Sequence, residues 1–559
     1  MKRIGLFARV LGIAAVVLAL PPGAIAQPQA GPQGAAQTAR VSELVKYARE
    51  TFNESQAQAA PAAPQQRTLE ERAEARPVVK LTVEQAVRMA FENNIELSVE
   101  RLNPQLQDLS LAQTRGAYRP TLGSALNANS SMPLPTSLLN GGQRVINEVA
   151  NANVNIAQTL PWFGTTYTAA FNNGRTNTSS TFATLNPQFT TQLTATITQP
   201  LLRDFKIDNN RQLLMTGTIS REITDITLLT RITNTTATTK NAYWDLLAAI
   251  RAIEAAKQSL ALAEKLIEDN RVRVEVGTLA PMDIISAQAE AATRRQTLTQ
   301  AEATRRTAEL VLKRLIVSET TDPIWRATID PIDMVQVQAT TINLESAVTT
   351  ALGQRTDLMT ARKNLASNDI NIRYLRNQMM PALNATATLG TRGLGGDQFI
   401  REGNPPVIVG TVPGGWSDAF AMMRQFEYPN WTIGATFSYP LGKSAQEAAY
   451  ARAKLQYQQA QAQIRALELT VATEVTNAAL LVESTLKRME AANAARQLSE
   501  KRLENEQSKF DVGMSTNFFV VQAQRDLLDS QISELRAALD YQKALVAFER
   551  VQMTGGSGG

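Results

Sequence analysis

The chemistry open to this chain is narrow, because its 559 residues include no histidine and no cysteine. Their absence removes the thiolate and imidazole ligands of ordinary zinc sites, the usual base of nucleophilic catalysis, and any disulfide or acylated cysteine. No G-x-x-x-x-G-K-[ST] loop cradles a nucleotide phosphate. An enzyme is therefore not expected, nor is a cofactor or a bound metal. What stands out is a pair of glycine turns, Val276-Gly277-Thr278 and Val512-Gly513-Met514. Glycine permits a tight reversal and leaves bare backbone for another surface to approach. A turn glycine that merely ends a helix beside a stapling apolar residue has the same look. Shortly after the turns come Asp283 and then Phe518, Phe519, Gln522 and Arg525. Asp283 lies two positions past Pro281, where a helix start favours a carboxylate.

The elements that carry these turns are long helices. Leu246, Ile253, Leu260, Ile267 and Val274 recur every seven positions, the spacing that keeps one seam against a partner helix. The arm from Asn209 to Glu275 would run about 100 Å at 1.5 Å per residue. With its return to Val317 it forms one hairpin, and a second of the same design runs from Ser444 to Met553. Residues 81–122, helical until Pro120 and opened by a capping pattern of Thr82 and Gln85, align without a gap to 342–383. Ala90 then matches Ala351, Leu97 matches Leu358, Asp108 matches Asp369 and Pro120 matches Pro381. The chain is a tandem duplication.

Between the helical parts of each repeat the residues alternate with the period of a strand. Ile433, Ala435 and Phe437 alternate with Thr432, Gly434 and Thr436, and Leu193, Ala195 and Ile197 with Thr194, Thr196 and Thr198. Leu383 to Leu389 and Leu122 to Ser130 follow the same rule. Such segments suit a tilted strand with one face to lipid and the other to a lumen, or a soluble sheet with one buried face. Trp162, Phe163, Tyr428, Trp431 and Tyr439 stand near strand ends, as interfacial aromatics do. Met132 to Ala150 and Thr391 to Pro429 read as long outward loops. An extra pair of alternating runs, Asn153 to Leu160 and Thr165 to Asn173, brackets Pro161-Trp162-Phe163-Gly164, so the chain offers four strands, or six if this pair joins the wall.

Lys2, Arg3 and Arg9 precede an apolar run and the small-residue site Ala24-Ile25-Ala26. Residues 1–26 read as a secretory signal peptide. Without its three basic residues the formal charge falls from +5 to +2, which gives no reason to expect nucleic acid. Residues 27–77, rich in Ala, Pro and Gln, read as a flexible extension. Residues 78–322 and 341–553 form the two repeats, 323–340 a Pro-punctuated link with a small extended element, and 554–559 a flexible tail.

A helix, a Pro, strands, a second Pro and a long hairpin, repeated in order over residues 78–552, resemble the outer-membrane efflux protein (TolC-like) family. The resemblance implies an α+β membrane protein in which three copies join their strands in one outer-membrane β-barrel. That barrel continues into a periplasmic α-barrel of long helices. It implies a passive exit duct of a tripartite efflux or type I secretion system, and the lack of any cysteine to acylate implies that no lipid group anchors it. Its partners would be outer-membrane lipid, a periplasmic membrane-fusion adaptor at the six turn residues, and an inner-membrane pump of the resistance-nodulation-division or ABC type. In the family the tunnel closes just past the turns, and members often place acids six and nine positions after the second glycine. Here those positions hold Phe519 and Gln522, whereas the first repeat has Asp283 six positions after Gly277, and Arg525 matches a basic position of some members. A gate built from Asp283, Phe518, Phe519, Gln522 and Arg525 would close by apolar dewetting, unless the phenylalanines fill seams between helices. Open sheet edges are forbidden in lipid, so several chains must contribute strands. The competing reading is a structural or adhesive coiled-coil envelope protein that transports nothing.

Overall fold

The computed structural model describes residues 77–134, 144–276, 280–333, 342–403, 407–442 and 444–555. The signal peptide, almost all of the extension, residues 334–341 of the link and its margin, and residues 556–559 of the tail lie outside the described residues.

Strand β1 (Val78–Leu81) leads into α1 (Val83–Asn93), α2 (Ile95–Glu100) and α3 (Asn103–Gly116). The capping box forms: Gln85 N–H donates to the Thr82 hydroxyl at 3.2 Å and Thr82 N–H to the Gln85 side chain at 3.0 Å. The single helix expected up to Pro120 is broken twice. Asn94 leaves helical geometry and caps α2 by accepting from Leu97 N–H at 3.0 Å. Pro104, which has no N–H to donate, sits in the first turn of α3, where none is needed.

Four strands follow, β2 (Thr121–Ser131), β3 (Asn147–Thr159), β4 (Thr166–Thr178) and β5 (Leu185–Pro200). The first hairpin is α4 (Asn209–Glu275) and α5 (Pro281–Ile316), and the link holds a short α6 (Pro323–Arg326) and β6 (Thr328–Pro331). The second repeat runs α7 (Leu344–Gln354), α8 (Thr356–Gln378), β7 (Ala382–Glu402), β8 (Val407–Val412), α9 (Trp416–Arg424) and β9 (Pro429–Ser438). It ends in the hairpin of α10 (Ala445–Asp511) and α11 (Asn517–Met553). The extended element of the link is not free-standing: β6 pairs in parallel with β1, from Val78↔Thr328 to Leu81↔Pro331.

Helices α4 and α10 have 67 residues each. In the lower half of α4 the deepest stripe is Ala256, Ser259, Ala263, Leu266 and Asn270, with the larger Ile253, Leu260 and Ile267 half-buried beside it. Small residues on the inner stripe let α4 sit close to both of its neighbours there, α5 and α11. Higher up its neighbours are α3 and α8, and α10 likewise exchanges α11 for α8. Four helical columns therefore stand side by side at either level.

At the waist, Tyr243 and Leu246 of α4 pack with Leu312 and Ile316 of α5, Ala86 and Ala90 of α1, and Ile329 of β6. The Tyr243 hydroxyl lies 2.9 Å from the Leu81 carbonyl and 2.8 Å from the Asp333 carboxylate. The second repeat builds its counterpart from Ala347, Ala351, Leu358, Val471, Val475 and Val551.

The strands form one seven-stranded sheet in the order β2-β3-β4-β5-β7. Strand β9 pairs with the first half of β7, from Ala382↔Ser438 to Thr391↔Pro429, and β8 with its far end, from Gln398↔Val412 to Glu402↔Val407. Both runs of the extra pair are strands of this sheet. The loops expected over 132–150 and 391–429 are correspondingly shorter, because β3 begins at Asn147 and the second region holds the end of β7, all of β8, and α9.

Candidate functional site

Two regions bear on function, the hairpin tips and the two-faced sheet. At the second tip, Gly513 adopts φ +78°, with its N–H donating to the Phe510 carbonyl at 3.1 Å and Met514 N–H to the Lys509 carbonyl at 2.8 Å. These crossed bonds close α10 and demand a residue free to take a positive φ. Val512 and Met514 then project into solvent, Met514 79 % exposed. At the first tip Val276 is 72 % exposed, while Gly277 and Thr278 lie outside the described residues.

Phe518 and Phe519 do not fill a seam within the subunit. They meet edge to face, ring centroids 5.6 Å apart, and Phe518 is 70 % exposed. Asp283 sits in the first turn of α5, where its backbone carbonyl accepts from the side-chain amides of Asn270 at 3.4 Å and Asn517 at 3.5 Å. The amide of Gln522 donates to Asp526 at 2.8 Å, and Asp526 also accepts from Arg502 at 3.0 Å. Arg525 reaches across from α11 to Glu290 of α5, with Nε 3.1 Å from one carboxylate oxygen and a further bond through Nη2. Glu290 is 5 % exposed and also holds Arg294 at 2.6 Å. Burial alone would push the Glu290 carboxyl up, but the Arg525 hydrogen bond and the charges of Arg294 and Arg525 outweigh it and hold the group below its ordinary range.

A second clamp was not foreseen from the sequence. Arg273, near the end of α4, donates to the Phe510 carbonyl at 2.9 Å and to Asp511 at 3.2 Å, and its guanidinium lies 3.9 Å from the Phe510 ring centroid. Leu266 of α4 packs with Leu503, Phe510, Val520, Ala523 and Leu527 beside it. The two tips of one subunit are thus joined at both flanks. Partners more than 200 residues apart leave no local pattern, so only Arg525 could be singled out in advance.

In the sheet, directly opposite residues share a face. One face gathers Leu122 and Leu126 of β2, Val154 and Ile156 of β3, Phe171 of β4, Leu193 and Ile197 of β5, Leu389 of β7, and Trp431, Ile433 and Phe437 of β9. All but Phe171 are strongly exposed, Ile433 at 77 %. The opposite face carries Asn127, Asn129, Asn151, Asn153, Asn155, Asn172, Thr194, Thr196, Thr386, Thr388, Thr432 and Thr436, and Thr196 and Thr388 share a hydroxyl bond of 3.1 Å. An apolar face open to the surroundings behind a face of amides and hydroxyls, which also carries Arg392 opposite Gln192, is what a lipid-facing wall with a wet lumen requires. Among the described residues no helix is long and apolar enough to cross a membrane.

The aromatics fall at two levels of this sheet. Trp162, Phe163 and Tyr439 lie at the end next to the long helices, and Tyr428 and Trp431 about ten residues away along β9. The far level has a component the sequence did not reveal. Helix α9 lies on the apolar face, its Ala419 and Met423 carbonyls accepting from the hydroxyls of Thr191 at 2.8 Å and Thr391 at 3.2 Å. Trp416 stacks on Phe420 at 5.1 Å, and Phe420 meets Phe171 edge to face at 6.2 Å.

Solved structures share the overall fold. The CusC channel aligns over 89 % of this chain and 98 % of its own, at 15 % identity and a TM-score of 0.62. The Campylobacter jejuni CmeC outer membrane channel aligns over 84 % and 85 % at 13 % identity and a TM-score of 0.60. The Vibrio cholerae outer membrane protein VceC aligns over 84 % and 96 %, at 15 % identity and a TM-score of 0.60. No curated protein matches the sequence. The family model described as outer membrane efflux protein matches residues 137–317 and 347–552, one segment in each repeat and together well over half of the sequence. The chain belongs to the outer membrane efflux protein family.

Proposed function

We propose that three copies of this outer-membrane efflux channel close one barrel and one helical tunnel, forming a passive exit duct fed by a periplasmic adaptor and an inner-membrane pump. The observation that carries the proposal is the pair of open sheet edges. Strand β2 pairs only with β3, and β9 only with β7, among the described residues. Both edges border a face whose exposed side chains suit lipid, and hydrocarbon tolerates no unpaired edge. With 11 and 10 residues they match in length, so each β2 joins the β9 of a neighbour. A structural coiled coil would have no use for a polar face behind an apolar one.

At the other end Val276, Val512, Gly513 and Met514 offer the adaptor apolar side chains and bare backbone, with Gly277 and Thr278 completing the first tip. Phe518 and Phe519, presented three times around an axis, form a constriction that dries when closed. The sequence has no G-x-x-x-x-G-K-[ST] loop, and the energy comes from a pump of the resistance-nodulation-division or ABC type. The cargo is small toxic solute, ions or a polypeptide. The test is the mass of the detergent-extracted particle together with its behaviour in a planar bilayer. Three copies and discrete ion-conducting steps are expected, and a particle that never inserts or conducts would overturn the proposal.

A further inference from the structure

We infer that the β3–β4 hairpin is part of the barrel wall, so that the threefold barrel has eighteen strands and opens as wide as the helical tunnel beneath it. This rests on the threefold duct proposed above and adds a bore to it. Strand β2 reaches β5 only through β3 and β4. Pairing is continuous across all three junctions, from Thr121↔Ala157 to Ser131↔Asn147, from Asn147↔Thr178 to Thr159↔Thr166, and from Thr166↔Thr198 to Thr176↔Gln188. The hairpin also keeps the two-faced rule of its neighbours. Val154 and Ile156 stand on the apolar face, and Asn151, Asn153 and Asn155 on the polar one. A hairpin lying outside the wall would have no reason to keep that parity.

Its turn is fastened at the base of the sheet. Phe163 stacks on Phe205 at 4.9 Å, its carbonyl accepts from the Gln199 amide at 2.9 Å, and the Gln158 amide donates to the Tyr118 carbonyl at 2.8 Å. Those contacts bind the hairpin both to the segment entering β2 and to the segment leaving β5.

The perimeters agree with this count. At a strand spacing of about 4.8 Å and a tilt of about 40°, each strand takes about 6.3 Å of circumference. Eighteen strands then span about 113 Å and twelve about 75 Å. Twelve helical columns, four from each copy, spaced about 9.5 Å apart span about 114 Å. At these spacings the eighteen-strand barrel matches the perimeter of the tunnel. Its backbone radius is about 18 Å against about 12 Å for twelve strands.

The absence of native cysteine makes the test direct. Single cysteines placed at 151–156 in the full chain, reconstituted in vesicles, are probed with a membrane-impermeant maleimide. Asn151→Cys, Asn153→Cys and Asn155→Cys are expected to react, and Ala152→Cys, Val154→Cys and Ile156→Cys to be protected. Reaction at both parities, or at neither, would overturn the inference. In addition, Asn384→Cys on the polar face of β7 is labelled with maleimide polymers of graded size, in the full chain and after deletion of residues 144–178, which brings β2 beside β5. The full chain is expected to admit polymers roughly 1.5-fold larger in radius, as the ratio of strand numbers requires. An equal cutoff would overturn the inference. If no inserted threefold complex forms at all, the duct proposal falls and the inference with it; if the complex forms without the alternation, the inference alone falls.

Discussion

Removing Arg525 should loosen the tips without unfolding the subunit. Glu290, 5 % exposed, is held by Arg525 from one side and by Arg294 at 2.6 Å from the other. Stripping every partner from a buried carboxylate costs about 3–5 kcal/mol, but Arg525→Ala leaves Arg294 in place. The loss is then that of the charge-assisted bonds alone. Because the Arg525 side chain is itself 51 % exposed, water and salt reduce that loss to about 1–2 kcal/mol per subunit. A shift of this size raises the population of any state in which α5 and α11 separate by about 5- to 30-fold. Single-channel recording of the reconstituted protein reads this as open probability. Arg525→Lys keeps the charge but not the two-pronged grip and should fall between the two. An open probability within twofold of the parent in Arg525→Ala, with unchanged circular dichroism, would refute the reasoning that this clamp restrains separation of the tips.

The same clamp sets a pH window. The Glu290 carboxyl is held below its ordinary value of 4.5, so its contribution is fully present above that value and disappears as pH falls through its lowered folded value. Open probability should be flat between pH 6 and 8 and rise only below about 4.5, and a rise between pH 6 and 7 in recordings would exclude Glu290 as the titrating group. Met514→Asp puts a charge on an exposed apolar tip and should cost adaptor capture at least tenfold in pull-down titrations while leaving conductance unchanged, the loss expected from an unpaired charge at an interface. Tyr243→Phe removes the hydroxyl that bridges the Leu81 carbonyl and Asp333 and takes the acceptor from the Asp333 N–H, and should lower unfolding stability by about 1–3 kcal/mol, measured by denaturant titration in detergent. Gly393→Ala would put a Cβ 1.8 Å from the Ala419 carbonyl oxygen, so α9 should leave the sheet and Trp416 emission should shift to the red, while the threefold particle persists.

Most of the architecture could be read from the chain because long elements declare their period. Sustained heptads and a Val-Gly pair define both hairpins to within a residue or two: Asn209 and Met553 are helix ends in the structure as in the reading. Alternation over eight or more residues likewise revealed β3 and β4, short of their ends. The region from Thr391 to Pro429 failed for a physical reason. Gly393, Gly395 and Gly396 interrupt the alternation of β7, and at Gly393 and Gly395 the missing side chains are what let the backbone of α9 approach. A glycine-rich strand beneath a nine-residue helix imitates a loop. The helix breaks at Asn94 and Asn103 were missed because alignment of the two repeats reports similarity, not continuity; the second repeat breaks at the equivalent place, between Gln354 and Thr356.

The tips explain why acids can be absent from the positions where the family often has them. Among the described residues, four carboxylates near the second turn already have partners in the same subunit. Glu290 holds Arg294 and Arg525, Asp511 holds Arg273, Glu506 holds Lys509 and the Ser515 hydroxyl, and Asp526 holds Arg502 and Gln522. Each pair cancels most of its own field within a few ångströms, and salt screens the remainder. The side chains left facing solvent here include Val276, Met282, Ile285, Val512, Met514, Phe518 and Phe519. If the proposed threefold duct forms, such a surface would exclude water from a narrow gap and accept an apolar partner. Two of these pairs, Arg273 with Asp511 and Arg525 with Glu290, hold the two hairpins together, and on the duct reading proposed above the exposed apolar side chains are what would close the entrance by dewetting.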